Sequence, residues 1–180
     1  MLVADSSLVA RLARLRVPLG FGCGALALWM AAPSRTSLLT GGALGLLGEA
    51  LRLWAAGHLI KSSEITVSGP YRWLAHPLYV GSTFMGAGIA VASARPIVAG
   101  LVAAYLAATI GAAIRHEEAF LRQRFGERYD RYRRGRNTAL VAARRFSLSR
   151  ALANREHRAA LGWGVAALLL WLKATYNGSF

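Results

Sequence analysis

The chain has 180 residues, of which 55% are hydrophobic and only 17% charged, with a formal net charge of +14. A soluble domain carries about 25% charged residues, so a solvated globule is disfavoured; apolar runs alternating with short arginine-rich stretches describe a polytopic membrane protein. Thirteen of the 22 basic residues lie between Arg115 and Arg158, beside apolar runs; arginines so placed hold an orientation and meet anionic headgroups, and nucleic acid is not the expected partner. The single cysteine, Cys23, sits inside an apolar run. It allows no disulfide within the chain and no cysteine-based metal site, and no metal is expected.

Taken in chain order, Arg11, Arg14 and Arg16 precede a first span over about 17–32, read as an uncleaved helix because further spans follow. A second span covers about 37–60, long enough to cross about 30 Å of hydrocarbon with tilt. A polar connector, 61–76, leads to a third span that starts at Pro77, a residue suited to the first helical position, and ends near Ser93. Arg95-Pro96 makes a tight turn into a fourth span ending near Ile114. The segment 115–134 reads as an amphipathic helix, with Leu121, Phe125, Tyr129 and Tyr132 on one stripe and arginines elsewhere. It is expected to lie on the membrane surface, which is compatible with covering a site. A basic linker and a fifth span, about 159–176, follow. The predicted fold is therefore all-α, a single polytopic bundle of about five spans with a cytosolic amphipathic helix after the fourth.

Loop charge sets the orientation. The N-terminus carries three basic residues, the connector two and the 115–158 segment thirteen, against Arg35, Arg95 and Lys173 on the other side. The expected topology is N-terminus inside, C-terminus outside, with the connector, the start of span three and the end of span four all cytosolic. Glycine pairs at 20 and 24 and at 41 and 45 allow close helix packing. Gly86-Ala87-Gly88 allows the same, with a cofactor role as the alternative.

Polar residues stand out where polarity is expensive. Glu49 and Arg52 lie three apart inside span two, and either pair with each other or line a wet cavity at a substrate site. The connector runs Ser68-Gly69-Pro70-Tyr71-Arg72-Trp73-Leu74-Ala75-His76-Pro77-Leu78-Tyr79, and His76 directly precedes a helix start. That position is either simply a helix start or an anion site built from free N–H groups. Arg115-His116-Glu117-Glu118 closes span four. Two adjacent carboxylates near a helix C-terminus oppose the macrodipole and need a positive partner, from Arg115, Arg122 or a cationic ligand. The stretch from Arg131 to Arg136 reads as a headgroup-facing surface.

The order LRLWAAGHLIKSSEITVSGPYRWLAHPLYVGS, an apolar span, then RHEEAFLRQRFGERYDRY resembles the isoprenylcysteine carboxyl methyltransferase and phospholipid methyltransferase families over roughly residues 45–134. The combination of Gly-Pro-Tyr, His-Pro-x-Tyr and a later Glu-Glu before Phe-Gly-x-x-Tyr carries the likeness. The resemblance implies S-adenosylmethionine bound at the cytosolic helix ends and a lipid-like acceptor entering from the bilayer. It places Tyr71, His76, Pro77, Leu78 and Tyr79 at the cofactor, with Ser63, Glu64, Ile65 and Thr66 lining the pocket and Glu117 completing it. Two departures, Ala75 and Ala113 where relatives carry arginine, weaken the prenylcysteine assignment; Arg115 is the nearest substitute, from another helix face. Residues 137–180 fall outside the likeness, and a packing or dimer role is expected of span five.

The residue chemistry is consistent with that expectation. Helix-start N–H groups and His76 suit the cofactor's carboxylate, and Glu117 suits its ammonium or ribose hydroxyls. An acceptor carboxylate needs no base, whereas a phenol, thiol or amine does, and Glu118 and His76 are the candidates. A phospholipid amine is the alternative acceptor. A non-enzymatic small transporter or scaffold using Glu49 and Arg52 is the competing class, and a membrane reductase with a nicotinamide cofactor the enzymatic rival.

Overall fold

The computed structural model describes residues 3–61, 63–135 and 144–178. Arg136 and the linker 137–143 lie outside the described residues, as do the side chains of Arg11, Arg14 and Arg16. The described residues form seven α-helices and no strand: α1 (Val3–Met30), α2 (Arg35–His58), α3 (Pro77–Ala92), α4 (Pro96–Phe125), α5 (Glu127–Arg133), α6 (Leu148–Ala153) and α7 (Glu156–Tyr176), with a 3-10 turn at Gly69–Arg72. The all-α class is the one expected.

Local chemistry sets the helix ends. Ser34 caps α2 through a reciprocal pair: Ser37 N–H donates to Ser34 Oγ at 3.2 Å and Ser34 N–H to Ser37 Oγ at 2.9 Å. Pro77 and Pro96 open α3 and α4, where the missing N–H costs nothing. Gly69 takes a left-handed φ of 58°, and a Cβ there would stand 2.5 Å from the His58 ring. Only glycine lets the connector turn back so closely over the end of α2.

The long helices alternate in direction. Asn154, just before α7, donates from Nδ2 to Ala56 O and Leu59 O at the end of α2, both at 2.9 Å. At the far end of α7, Leu170 packs with Ala31 and Ala92, and Lys173 Nζ donates to Leu28 O and Trp29 O. Those carbonyls close α1, where a cation complements the helix dipole. Helices α2 and α3 touch almost backbone to backbone. A Cβ on Gly48 would lie 2.5 Å from Gly81 O, and one on Gly88 2.6 Å from Gly41 O. On its other side α3 meets α4, where a Cβ on Gly86 would lie 2.7 Å from Leu106 Cδ1. Both glycines of Gly86-Ala87-Gly88 therefore serve packing.

Two helices, α4 and α7, are long and apolar enough to cross a membrane, and much of their apolar surface is exposed. The apolar stretch Pro18–Met30 and α3 are shorter. The 16 residues of α3 span about 24 Å at 1.5 Å each, less than about 30 Å of hydrocarbon. Length and apolarity thus pick out two crossings among the five expected. The segment 115–134 also differs from expectation. It is no separate surface helix, because α4 runs unbroken to Phe125 and its last turns carry the acidic pair. The chain breaks at Gly126, whose φ of 51° turns α5 back. The Leu121–Phe125–Tyr129–Tyr132 stripe nevertheless faces inward, with Tyr129 fully buried.

Candidate active site

The connector and the end of α4 meet. His76 precedes α3, Glu118 lies on α4, and His76 Nε2 stands 3.1 Å from Glu118 Oε1 with both side chains mostly buried. Arg133, on α5, brings its guanidinium to 3.0 Å from the same oxygen, and Arg122, one turn along α4, to 3.4 Å from the other. Glu118 thus gains its positive partners from Arg122 and Arg133, while Arg115 is exposed. A carboxylate only accepts, so the shared proton belongs on His76 Nε2 and leaves Nδ1 as an acceptor. The His76 and Tyr79 rings lie 5.9 Å apart. Tyr79 N–H turns back to the His76 carbonyl at 3.1 Å, leaving the start of α3 with fewer open donors than the sequence suggested.

Helix α5 covers the connector. The Tyr132 hydroxyl donates to Tyr71 O at 3.0 Å and reaches Leu74 O at 3.4 Å. Burial pushes the Tyr71 phenol well above the usual range, and the charge of Glu117 adds to it. Burial likewise raises Tyr132, and raises Tyr129 to about 12.

A small cavity of about 180 Å³ lies beside this cover, lined by Ser63, Glu64, Ile65, Val67, Ser68, Phe125, Arg128 and Arg144. Three of the four connector residues expected at a pocket line it. The fourth, Thr66, is buried, and its Oγ1 has no hydrogen-bond partner; the buried Tyr129 hydroxyl has none either. Arg144, also in the lining, forks onto both oxygens of Glu64. The two serines, Glu64 and the two arginines of the lining suit a ligand carrying amino, carboxylate and ribose groups. The volume is below the ~300–1,000 Å³ of small-molecule sites, so a nucleoside-sized ligand fits only once the cavity widens.

A second cavity, about 580 Å³ and almost wholly apolar, lies between α3 and α4. Its lining runs from Ala90 and Ala99 to Thr83 and Ile114. Thr83 is one turn from Tyr79 and Ile114 one turn from Glu117 and Glu118, so the groove ends at the polar cluster. Among the described residues, no group of three or more His, Cys, Asp or Glu side chains is placed to hold a metal ion.

Glu49 and Arg52 do not pair. Arg52 donates from Nε to Glu156 Oε1 at 2.6 Å and from Nη2 to Oε2 at 3.1 Å, and from Nη1 to Leu78 O at 3.2 Å and to Ser82 Oγ. Glu49 Oε2 is buried without a partner. Glu156 offers both oxygens to the fork from α7, a bidentate pairing that gives geometric fit as well as energy. Pro77 is fully buried and Leu78 contributes its carbonyl to Arg52. The sequence reading missed Glu156, Arg144, Arg133 and Tyr132. A carboxylate opening an apolar span was the available signal for Glu156.

The sequence profile of the phospholipid methyltransferase family matches residues 16–128. The chain is also 36% identical over 102 residues to the nickel-cobalt-cadmium resistance protein NccN of Alcaligenes xylosoxydans xylosoxydans, a match covering 54% of this chain and 47% of that protein. No solved structure matches the chain.

Proposed function

The chain belongs to the phospholipid methyltransferase family, and on that basis we propose that it transfers a methyl group from S-adenosylmethionine to a hydrophobic, lipid-like acceptor at the cytosolic face of a membrane. The observation that supports this most is the contact of His76 with Glu118 at 3.1 Å. It joins the connector to the acidic end of α4 at the foot of an apolar groove. Five crossings, with the N-terminus and this site inside, suit the alternating helices and the arginines near the site.

S-adenosylmethionine, when bound, supplies an electrophilic methyl group. Glu117, next to Glu118 on α4, holds the ammonium or ribose hydroxyls, and the connector from Ser63 to Thr66 forms the wall. The α3–α4 groove holds the acceptor's hydrocarbon part and keeps water away, so catalysis comes mostly from positioning and low polarity. An acceptor that must lose its proton gives it to His76 Nδ1, and Glu118 stabilises the imidazolium through Nε2–H. A carboxylate acceptor needs no such step. The preferred acceptors are a lipid-linked or small hydrophobic carboxylate, phenol or thiol. A phospholipid amine is the second reading, favoured by the family's description and by two carboxylates beside the groove.

The test is incubation of the purified chain in nanodiscs with methyl-labelled S-adenosylmethionine and a host lipid extract, alongside thermal shifts with that cofactor and with NADPH. The expected result is a labelled organic-soluble product and a melting temperature raised by S-adenosylmethionine alone. No label transfer and no thermal response would remove the proposal; a response to NADPH only would favour a reductase.

A further inference from the structure

Glu156 lies beyond the residues 16–128 that the family profile matches, yet it is 4% exposed and meets the first turn of the site helix through Arg52. The chain goes to some length to place it there. Arg155, immediately before, holds a left-handed φ of 63°, a region that non-glycine residues adopt only when their surroundings enforce it. The enforcing contacts are side chains fastened to the end of α2. Arg150 Nε donates to Gly57 O at 2.8 Å, and Asn154 caps Ala56 and Leu59.

Glu156 then fills one side of the Arg52 fork, and the remaining nitrogen of the fork reaches Leu78 O and Ser82 Oγ. Leu78 is the second residue of α3, two positions after His76. We infer that Glu156 is a positioning residue: the C-terminal segment holds Arg52 against the first turn of α3 and thereby sets where His76 and Tyr79 stand. The inference rests on the proposed methyltransferase reading for its functional consequence, though not for its geometry. Glu49 explains why the carboxylate is needed. It lies one turn from Arg52 on α2 with a buried, unpartnered oxygen. Without Glu156 the guanidinium turns to Glu49 and leaves Leu78 and Ser82.

The test uses the full chain in nanodiscs and two variants, Glu156→Gln and the double apolar replacement Arg52→Met with Glu156→Met. Three quantities are read: amide exchange over residues 76–82, calorimetric affinity for S-adenosylmethionine, and melting temperature without cofactor. Loss of the charged hydrogen bonds speeds exchange over 76–82 and weakens cofactor affinity, each by about tenfold or more. The double variant removes both charges of the pair together and so melts closer to wild type than Glu156→Gln does, yet keeps both defects. Recovery of exchange and affinity together with melting in the double variant would show a merely structural pair and overturn the inference. Wild-type exchange and affinity in Glu156→Gln would do the same. If that variant fails to fold, the double variant decides. If the wild-type chain binds no S-adenosylmethionine, the methyltransferase reading fails, and exchange over 76–82 alone decides the positioning role.

Discussion

Tyr129 carries a hydroxyl that is buried and has no hydrogen-bond partner, a placement that costs about 1–3 kcal/mol where nothing compensates it. Tyr129→Phe should therefore melt no lower than wild type without cofactor, and bind S-adenosylmethionine more weakly if that hydroxyl contacts it; calorimetry and thermal shift read the two effects separately. The same residue sets an alkaline limit. Its phenol is raised from 10 to about 12 by burial, so the folded state holds that proton more tightly than the unfolded chain. Below pH 10 both states keep the proton and stability does not change; as pH rises from 10 through about 12 the unfolded chain releases it first and the fold loses stability. Melting curves across that window should show the loss in wild type and less of it in Tyr129→Phe, with Tyr71 and Tyr132, also raised by burial, adding to the loss from pH 10 upward. Glu117 is tested more simply. Glu117→Ala should keep the fold in detergent and lose most cofactor affinity, and unchanged calorimetric binding would remove it from the site.

Helix contacts follow the small residues. The α2–α3 seam leaves no room for a side chain at Gly88, where a Cβ would lie 2.6 Å from Gly41 O. Gly88→Val should cost about 1–3 kcal/mol by overpacking, seen as a lower melting temperature. Gly100→Val, on open surface, should do far less. Much at this scale was legible in the sequence. Gly41 and Gly45 marked the seam, Pro77 and Pro96 marked two helix starts, and the Leu121–Tyr132 stripe marked the inward face. The continuity of α4 through the acidic pair was not legible, because apolarity stops near Ile114 while helix propensity does not. At the site, the motifs identified His76 and Glu118 separately. The partners of Arg52 lay hidden because Glu156 is 104 residues away, and no periodicity reports on contacts at that separation.

For the molecule as a whole, the alternating helices put the ends of α2 and α4 and the starts of α3 and α7 at one level. With Cys23→Ser as background, single cysteines at Ser63 and Arg124 should both react with an impermeant maleimide from the same side of sealed vesicles. A cysteine at Gly178 should react from the other side. Labelling of Ser63→Cys and Arg124→Cys from opposite sides would separate the connector from the acidic pair and end the proposed site. The exposed apolar residues of α1, α2 and α7, Phe21, Leu47 and Leu161 among them, are the surface that lipid covers under the proposed five-span topology.

Tyr132 grips the connector by main-chain oxygens, those of residues 71 and 74. Every amino acid supplies such an oxygen, so this clasp does not depend on which side chains fill the positions beneath it. A changed side chain at either position alters the shape offered to a bound molecule while the fastening overhead stays in place.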